Sequence, residues 1–273
     1  MSEQATHWDP KDYLSFQEER FLPFDELLQL RQASCTASPS LRAVDLGCGT
    51  GELTKRFAEH FHGEVAHTLG IDNAPAMLKV AQSRFASPRV EFQQHEMNAF
   101  LDAQLAAGHC FDLVLSNAAL HWLPDHSRLF SRLSALADPK HGELLLQIPA
   151  NHHHPVQTTL AELAGQEPHR ERLGGFTRQS PVLPAADYSR LLAEHGFTQQ
   201  RVLERVYAHP MPDAGFASDF VRSSTATEYQ AHMKQQHLHF PQFMAEHRAL
   251  MLRRFPQKPY LFTFNRLLMW AKR

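Results

Sequence analysis

Between about residue 43 and residue 148, short apolar runs alternate with longer stretches whose apolar positions recur at helical spacing. Short apolar runs bounded by turn residues predict buried strands, and helical spacing predicts amphipathic helices. The runs place strands at Ala43–Leu46, Thr68–Asp72, Val90–Gln93, Phe111–Ser116 and Glu143–Ile148. The helices between them are predicted at Glu52–Phe61, Pro75–Arg84, Ala99–Ala107 and Pro124–Leu136. Such alternation predicts βαβ units and a parallel sheet. Two later strands are predicted at Arg201–Ala208 and Tyr260–Ala271, with a helix at Ala185–His195 stopped by Gly196. The expected fold is therefore an α/β doubly wound, mostly parallel seven-stranded sheet.

The last two predicted strands are separated by residues 211–258, which show helical spacing around Phe216–Val221, Glu228–His239 and Pro241–Phe255. A hairpin needs only about 2–5 loop residues. The segment is expected to form a helical cap inserted into a main domain made of 1–210 and 259–273. Residues 151–184, rich in His, Pro, Gly and Arg, are expected to be irregular.

Charge changes this picture little. There are 27 Lys and Arg against 29 Asp and Glu, so no basic footprint for nucleic acid is present. No apolar run approaches the length of a membrane span, and the N-terminus shows no basic-plus-apolar targeting signal. The odd count of three cysteines, Cys35, Cys48 and Cys110, fits reduced thiols and a cytoplasmic location. A monomer or homodimer is expected. The 19 histidines include His152-His153-His154, but consecutive residues cannot all face one ion on a regular element, and no carboxylate completes a zinc spacing. No metal is expected.

The chemistry lies in Val44-Asp45-Leu46-Gly47-Cys48-Gly49-Thr50-Gly51 and, downstream, Leu69-Gly70-Ile71-Asp72. The first is a buried strand entering a glycine turn. The second is a strand ending in a carboxylate, which suits a ribose diol. A dinucleotide site wants G-x-G-x-x-G, yet Glu52 and Thr54 stand where a third glycine would fall. Glu52 also puts an anion at the helix N-terminus, where a pyrophosphate would sit. The ligand is expected to be a nucleoside without phosphates.

These residues resemble the class I S-adenosylmethionine-dependent methyltransferases. The general features are Asp45 to Gly51, Gly70-Ile71-Asp72 and Pro75-Ala76-Met77-Leu78. Narrower ones are Trp8-Asp9-Pro10, Tyr13, Phe16 and Arg20-Phe21-Leu22-Pro23, with the stretch from Phe111 through Ser116-Asn117-Ala118-Ala119-Leu120-His121-Trp122 to His126; these are similar to the trans-aconitate methyltransferases. The resemblance implies S-adenosyl-L-methionine as cofactor and a small-molecule acceptor, a carboxylic acid giving a methyl ester. It implies that Gly47, Cys48, Gly49 and Gly51 pass beneath the methionine part, with Asp45 behind them. Asp72 would take the ribose hydroxyls, Asn73 and Met77 would flank the adenine, and Glu96, backed by Met97, would accept from the adenine amino group. Asn117 and Ala118 would lie near the sulfonium and Trp122 would wall the site. Plainer alternatives are Asp72 as a cap before Pro75, Met77 and Trp122 as core, and Glu96 as a solvated acid.

Arginine suits bidentate carboxylate recognition. Arg20 and Arg222 with Tyr13 are the expected acceptor ligands, and Arg172, Arg178 and Ser223 are further candidates. No catalytic residue is required if the acceptor is already a carboxylate. His121 becomes a candidate base only if the acceptor is a hydroxyl or amine. The remaining alternatives are another small acceptor (an acyl thioester acid, a phenol or an amine) and a non-catalytic S-adenosylmethionine-binding protein.

Overall fold

The computed structural model describes residues 18–31, 40–222 and 224–273, without the side chains of 18–20. The elements in order are α1 (Glu18–Leu30), β1 (Leu41–Leu46), α2 (Glu52–His60), β2 (Val65–Asp72), α3 (Pro75–Phe85), β3 (Val90–Gln94) and α4 (Met97–Ala106). β4 (Leu113–Asn117), a 3-10 turn (Leu120–Trp122), α5 (His126–Leu136) and β5 (Glu143–Pro149) follow. The remainder is α6 (Pro155–Ala164), α7 (His169–Arg172), α8 (Ala185–Glu194), β6 (Gln199–Met211), α9 (Ala214–Arg222), α10 (Thr227–Gln235), α11 (Phe240–Arg254) and β7 (Tyr260–Lys272).

The strands form one seven-stranded sheet in the order β3-β2-β1-β4-β5-β7-β6. The pairs from β3 through β5 are parallel, and β7 joins β5 antiparallel. The predicted doubly wound, mostly parallel sheet is thus observed. Among the described residues no helix is long and apolar enough to cross a membrane.

Register decides which side chains share a face. Asp45 pairs with Gly70 on one side and Leu115 on the other; Leu115 pairs with Leu145, and Asn117 with Gln147. Side chains alternate along a strand, so Asp45, Asp72, Asn117 and Gln147 all point to one face, at the carboxyl ends of β1, β2, β4 and β5. Lower on that face, Ala43, Leu113, Leu115, Leu145 and Trp270 pack under Phe24, Leu27 and Leu28 of α1 and Leu53 and Phe57 of α2. Arg31, just past the end of α1, bonds Glu143 at the start of β5.

The chain divides into two compact units. One holds the strands β1 to β5 with Pro181–Arg205 and Arg266–Arg273; the other holds Ala150–Ser180 and Val206–Asn265. The second unit contains the whole 211–258 segment together with Ala150–Ser180. Its core joins Val156 and Leu160 to Ala217, Val221, Tyr229, Phe243, Met251 and Phe262. At its centre His247 is fully buried; its Nε2–H donates to Val156 O at 3.0 Å and Ser218 Oγ lies 2.7 Å from its Nδ1. Burial lowers its pKa to about 4.

Three local expectations change. Residues 151–184 are not irregular throughout, since α6 and α7 form there. His154 caps α6 by accepting from Val156 N–H at 3.2 Å, and Pro155 stands in its first turn, where a missing N–H leaves nothing unsatisfied. The helix predicted over Glu228–His239 ends at Gln235, and His237 adopts a positive φ of 56°. The helix predicted from Pro124 starts at His126, capped by Asp125 accepting from Arg128 N–H at 3.1 Å.

Candidate active site

β1 runs into the turn holding Gly47, Gly49 and Gly51, all at positive φ. At Gly47, φ is 81° and an added Cβ would sit 2.3 Å from Ala119 Cβ; at Gly51 it would sit 2.6 Å from Phe92 Cζ. Packing against the loops after β4 and the end of β3 therefore forbids a side chain at these two positions before any ligand is considered. Cys48 is buried between them, and burial raises its thiol pKa.

Asp45 is buried behind the turn, where it accepts from Thr54 Oγ1 at 2.6 Å. Burial raises its pKa to about 7, against the Thr54 hydrogen bond, and the charge of Asp72 adds to the rise. Asp72 accepts from Gly49 N–H at 2.9 Å through Oδ2 and from Ala74 N–H at 2.8 Å through Oδ1. Burial raises its pKa while these backbone donors pull it back. Asp72 thus ties the glycine turn to the start of α3. A carboxylate has about four lone-pair sites, so each oxygen keeps capacity for one ribose hydroxyl. α3 itself has Ala74 at its N-cap and no side-chain cap, so Asp72 holds the turn before it and is not its cap.

Met77 is buried in α3, and Asn73 is exposed beside it. Glu96 caps α4: Oε2 accepts from Ala99 N–H at 2.7 Å and Oε1 from Asn98 Nδ2 at 3.3 Å. Its first duty is to its own helix, which neither sequence expectation included. Met97 is half-buried, with its Cε 3.6 Å from where a Gly47 Cβ would stand.

At the end of β4, Asn117 Oδ1 is buried with no hydrogen-bond partner, and Ala118 holds a φ of 52°. A non-glycine residue in that region is strained, and such strain concentrates at functional sites. The Ala118 N–H donates to Gln147 O at 3.0 Å, which fixes the bend to β5. Gln147 is 2% exposed and its Oε1 also lacks a donor. The sequence expectations did not include Gln147; the available signal was one amide within the apolar run Leu144-Leu145-Leu146-Gln147-Ile148.

His121 and Trp122 share the 3-10 turn, with ring centroids 4.6 Å apart, and both are half-buried. The turn is held from below by buried His126, whose Nε2–H donates to Leu120 O at 3.2 Å while Tyr188 OH bonds Nδ1.

The acceptor candidates are scattered. Tyr13 and Ser223 lie outside the described residues, as does the side chain of Arg20, whose backbone is in the first turn of α1. Arg222 is exposed at the end of α9, and Arg172 is exposed at the end of α7. Arg178 already bonds Glu228 at 2.6 Å. Among the described residues one trio of potential metal ligands converges, Asp112, Asp138 and His141, at the opposite end of the sheet.

This strand order with an antiparallel β7, a glycine turn after β1 and an acid closing β2 defines a class I S-adenosylmethionine-dependent methyltransferase. The methyltransferase-domain family matches residues 43–140. The cyclopropane synthase MmaA2 of Mycobacterium tuberculosis shares the fold, with a TM-score of 0.52 at 16% identity over 93% of this chain and 85% of that one. The trans-aconitate 2-methyltransferase of Deinococcus radiodurans is 35% identical over 97% of this chain and 98% of its own. The enzyme of the same name from Azoarcus sp. is 33% identical over 97% and 99%. The chain belongs to the trans-aconitate 2-methyltransferase family.

Proposed function

We propose that this enzyme methylates a carboxylate of trans-aconitate, or of a tricarboxylic acid of similar shape, to give a methyl ester. The observation that carries the reading is similarity over nearly the full length of both chains to enzymes bearing that name. The residues fit the cofactor: Asp72 keeps two accepting positions for a diol, and Asn117 Oδ1 is a buried acceptor awaiting a donor. Asp72 would hold the ribose, the Gly47–Gly51 turn and Asp45 the methionine part, Asn73, Met77, Glu96 and Met97 the adenine end, and Asn117, Ala118 and Trp122 the sulfonium end. When bound, S-adenosylmethionine supplies a methyl group that a carboxylate oxygen accepts as the sulfonium becomes a neutral thioether.

The acceptor is already the nucleophile, so no side chain must remove a proton, and His121 has no role as a base. What the chain supplies is placement, and holding two reactants in line is worth about 7–11 kcal/mol in well-oriented cases. Free thiols at Cys48 and Cys110 support a cytoplasmic location. We read the enzyme as a monomer or homodimer.

Turnover of labelled S-adenosylmethionine with a panel of di- and tricarboxylic acids, with products identified by mass spectrometry, tests the reading. A trans-aconitate methyl ester is expected; methylation only of phenols, amines or thioesters overturns it. Asp72→Ala is expected to weaken cofactor binding by calorimetry at least about 100-fold, as loss of a buried charged partner to two hydroxyls implies. Unchanged affinity would remove Asp72 from the site.

A further inference from the structure

The proposed cofactor residues follow the order of the strands. Glu96 stands after β3, Asp72 closes β2, the glycine turn follows β1, and Asn117 and Ala118 close β4. The next strand in that row is β5, and the side chain at the matching register is Gln147, opposite Asn117. If the row from β3 to β4 holds the cofactor with its methyl-bearing end last, the place beside Gln147 falls to the methyl acceptor.

Two further facts bear on this place. Gln147 and Asn117 point to the same face, yet neither carboxamide oxygen receives a hydrogen bond, not even from the other. On its other side Gln147 pairs with Leu268 of β7, whose side chain offers no hydrogen bond. A buried carboxamide left unpaired costs about 1–3 kcal/mol, so two adjacent ones call for a ligand. The second fact is that α1 covers the same face: its Phe24, Leu27 and Leu28 pack with Leu145 and Leu268, the neighbours of Gln147 on β5 and β7.

We propose that Gln147, flanked by Asn117, binds the carboxylate of the methyl acceptor. A carboxamide can turn either its oxygen or its two N–H donors toward a ligand, because rotation of the terminal torsion exchanges them. Toward a carboxylate it donates, and being neutral it orients the anion without taking its charge. The nucleophilic oxygen stays ionised while the second oxygen is held. The inference rests on the carboxylate-methylation reading above.

The test uses Gln147→Met, which keeps length and volume, and Gln147→Glu, which keeps shape and adds a like charge. With trans-aconitate as acceptor, Gln147→Met is expected to raise the acceptor KM about 10- to 100-fold, the range for one hydrogen bond to a charged group. Gln147→Glu is expected to raise it further, while cofactor affinity by calorimetry changes less than about threefold on the same scale. Acceptor KM within about twofold of wild type in Gln147→Met overturns the proposal. So does a parallel loss of cofactor and acceptor affinity, which would assign the amide to the cofactor or to the scaffold. Gln147→Asn retracts the same group by one methylene and serves if the other variants do not fold; the same acceptor-selective rise is expected. Wild-type enzyme inactive on every carboxylic acid fails the function reading, and the inference with it. Activity on trans-aconitate with Gln147→Met unaffected fails the inference alone.

Discussion

The two ends of β4 and β5 are built from the same strands on opposite principles. At the amino ends nearly every polar group is matched. Glu143 bonds Arg31 at 3.1 Å, Trp270 Nε1 at 2.7 Å and Lys272 at 3.5 Å. Arg31 also reaches Glu64 at 2.9 Å and lies over the Phe61 ring. Asp112 accepts from Arg42 N–H at 2.7 Å and bonds His141 at 2.6 Å. At the carboxyl ends of these strands and of β1, the side-chain oxygens of Asn117 and Gln147 are unmatched, Ala118 is strained, and Asp45 is a buried acid whose pKa burial raises to about 7. Only about 13 Å of strand separates a region optimised for stability from one that gives stability up. Buried groups left unpaired or strained are the expected mark of a binding site.

Breaking the stable end gives the largest effect. Arg31→Ala leaves Glu143 buried beside only Trp270 and Lys272 and is expected to lose about 3–5 kcal/mol in a urea melt. Cofactor affinity of the folded fraction should not change. A loss under about 1 kcal/mol would show that the pair contributes no more than a surface one.

Relieving the other end should do the reverse. Asp45 has a folded pKa of about 7 against an ordinary 3.8, so folding takes up a proton between these values. Wild-type stability contributed by this group therefore rises as pH falls from about 7 towards 3.8, and is lowest above pH 7. Asp45→Asn is expected to stabilise the fold at pH 8 by up to ~4 kcal/mol and to have little effect at pH 4. Denaturant midpoints at the two pH values measure this, and a pH-independent difference would contradict it.

The smallest effects come from adding a methyl group. Gly47→Ala meets Ala119 at 2.3 Å in a left-handed backbone and is expected to lose about 1–3 kcal/mol along with cofactor affinity. Gly108→Ala shares the positive φ but faces open space, so it should lose no more than about 1–2 kcal/mol and leave cofactor binding intact. Thermal melts of the pair separate crowding from backbone preference.

What the sequence disclosed follows how local each signal was. The five strands β1 to β5 were readable because each is a short apolar run beside a turn, and the glycine turn and Asp72 sit at the ends of such runs; β6 and β7 are longer, and β6 is mostly exposed. α6 escaped because three histidines precede it, a proline opens it, and Val156, Thr158 and Thr159 weaken helical propensity. α1 escaped because Pro23 lies inside it, a residue that ordinarily ends a helix. Glu96 was readable as an acid at the right place, but its cap depends on where α4 begins, two residues earlier than the spacing indicated. The Arg31–Glu143 pair spans 112 positions, and nothing in either neighbourhood announces the other. Gln147 was visible as an interruption in an apolar run, yet its meaning depends on register with Asn117, which only the folded sheet reveals.

The position of β7 has a consequence for how the protein is made. It is the last strand in the chain, yet it lies in the sheet between β5 and β6. During synthesis β1 through β5 can associate early, but the outer edge of β5 stays open until more than a hundred further residues have left the ribosome. An unpaired strand edge of the sequence Leu144-Leu145-Leu146 is a template for wrong pairing with other chains. The nascent enzyme thus passes through a long stretch of its synthesis with an apolar edge uncovered, and insertion of Tyr260–Lys272 is the step that closes it.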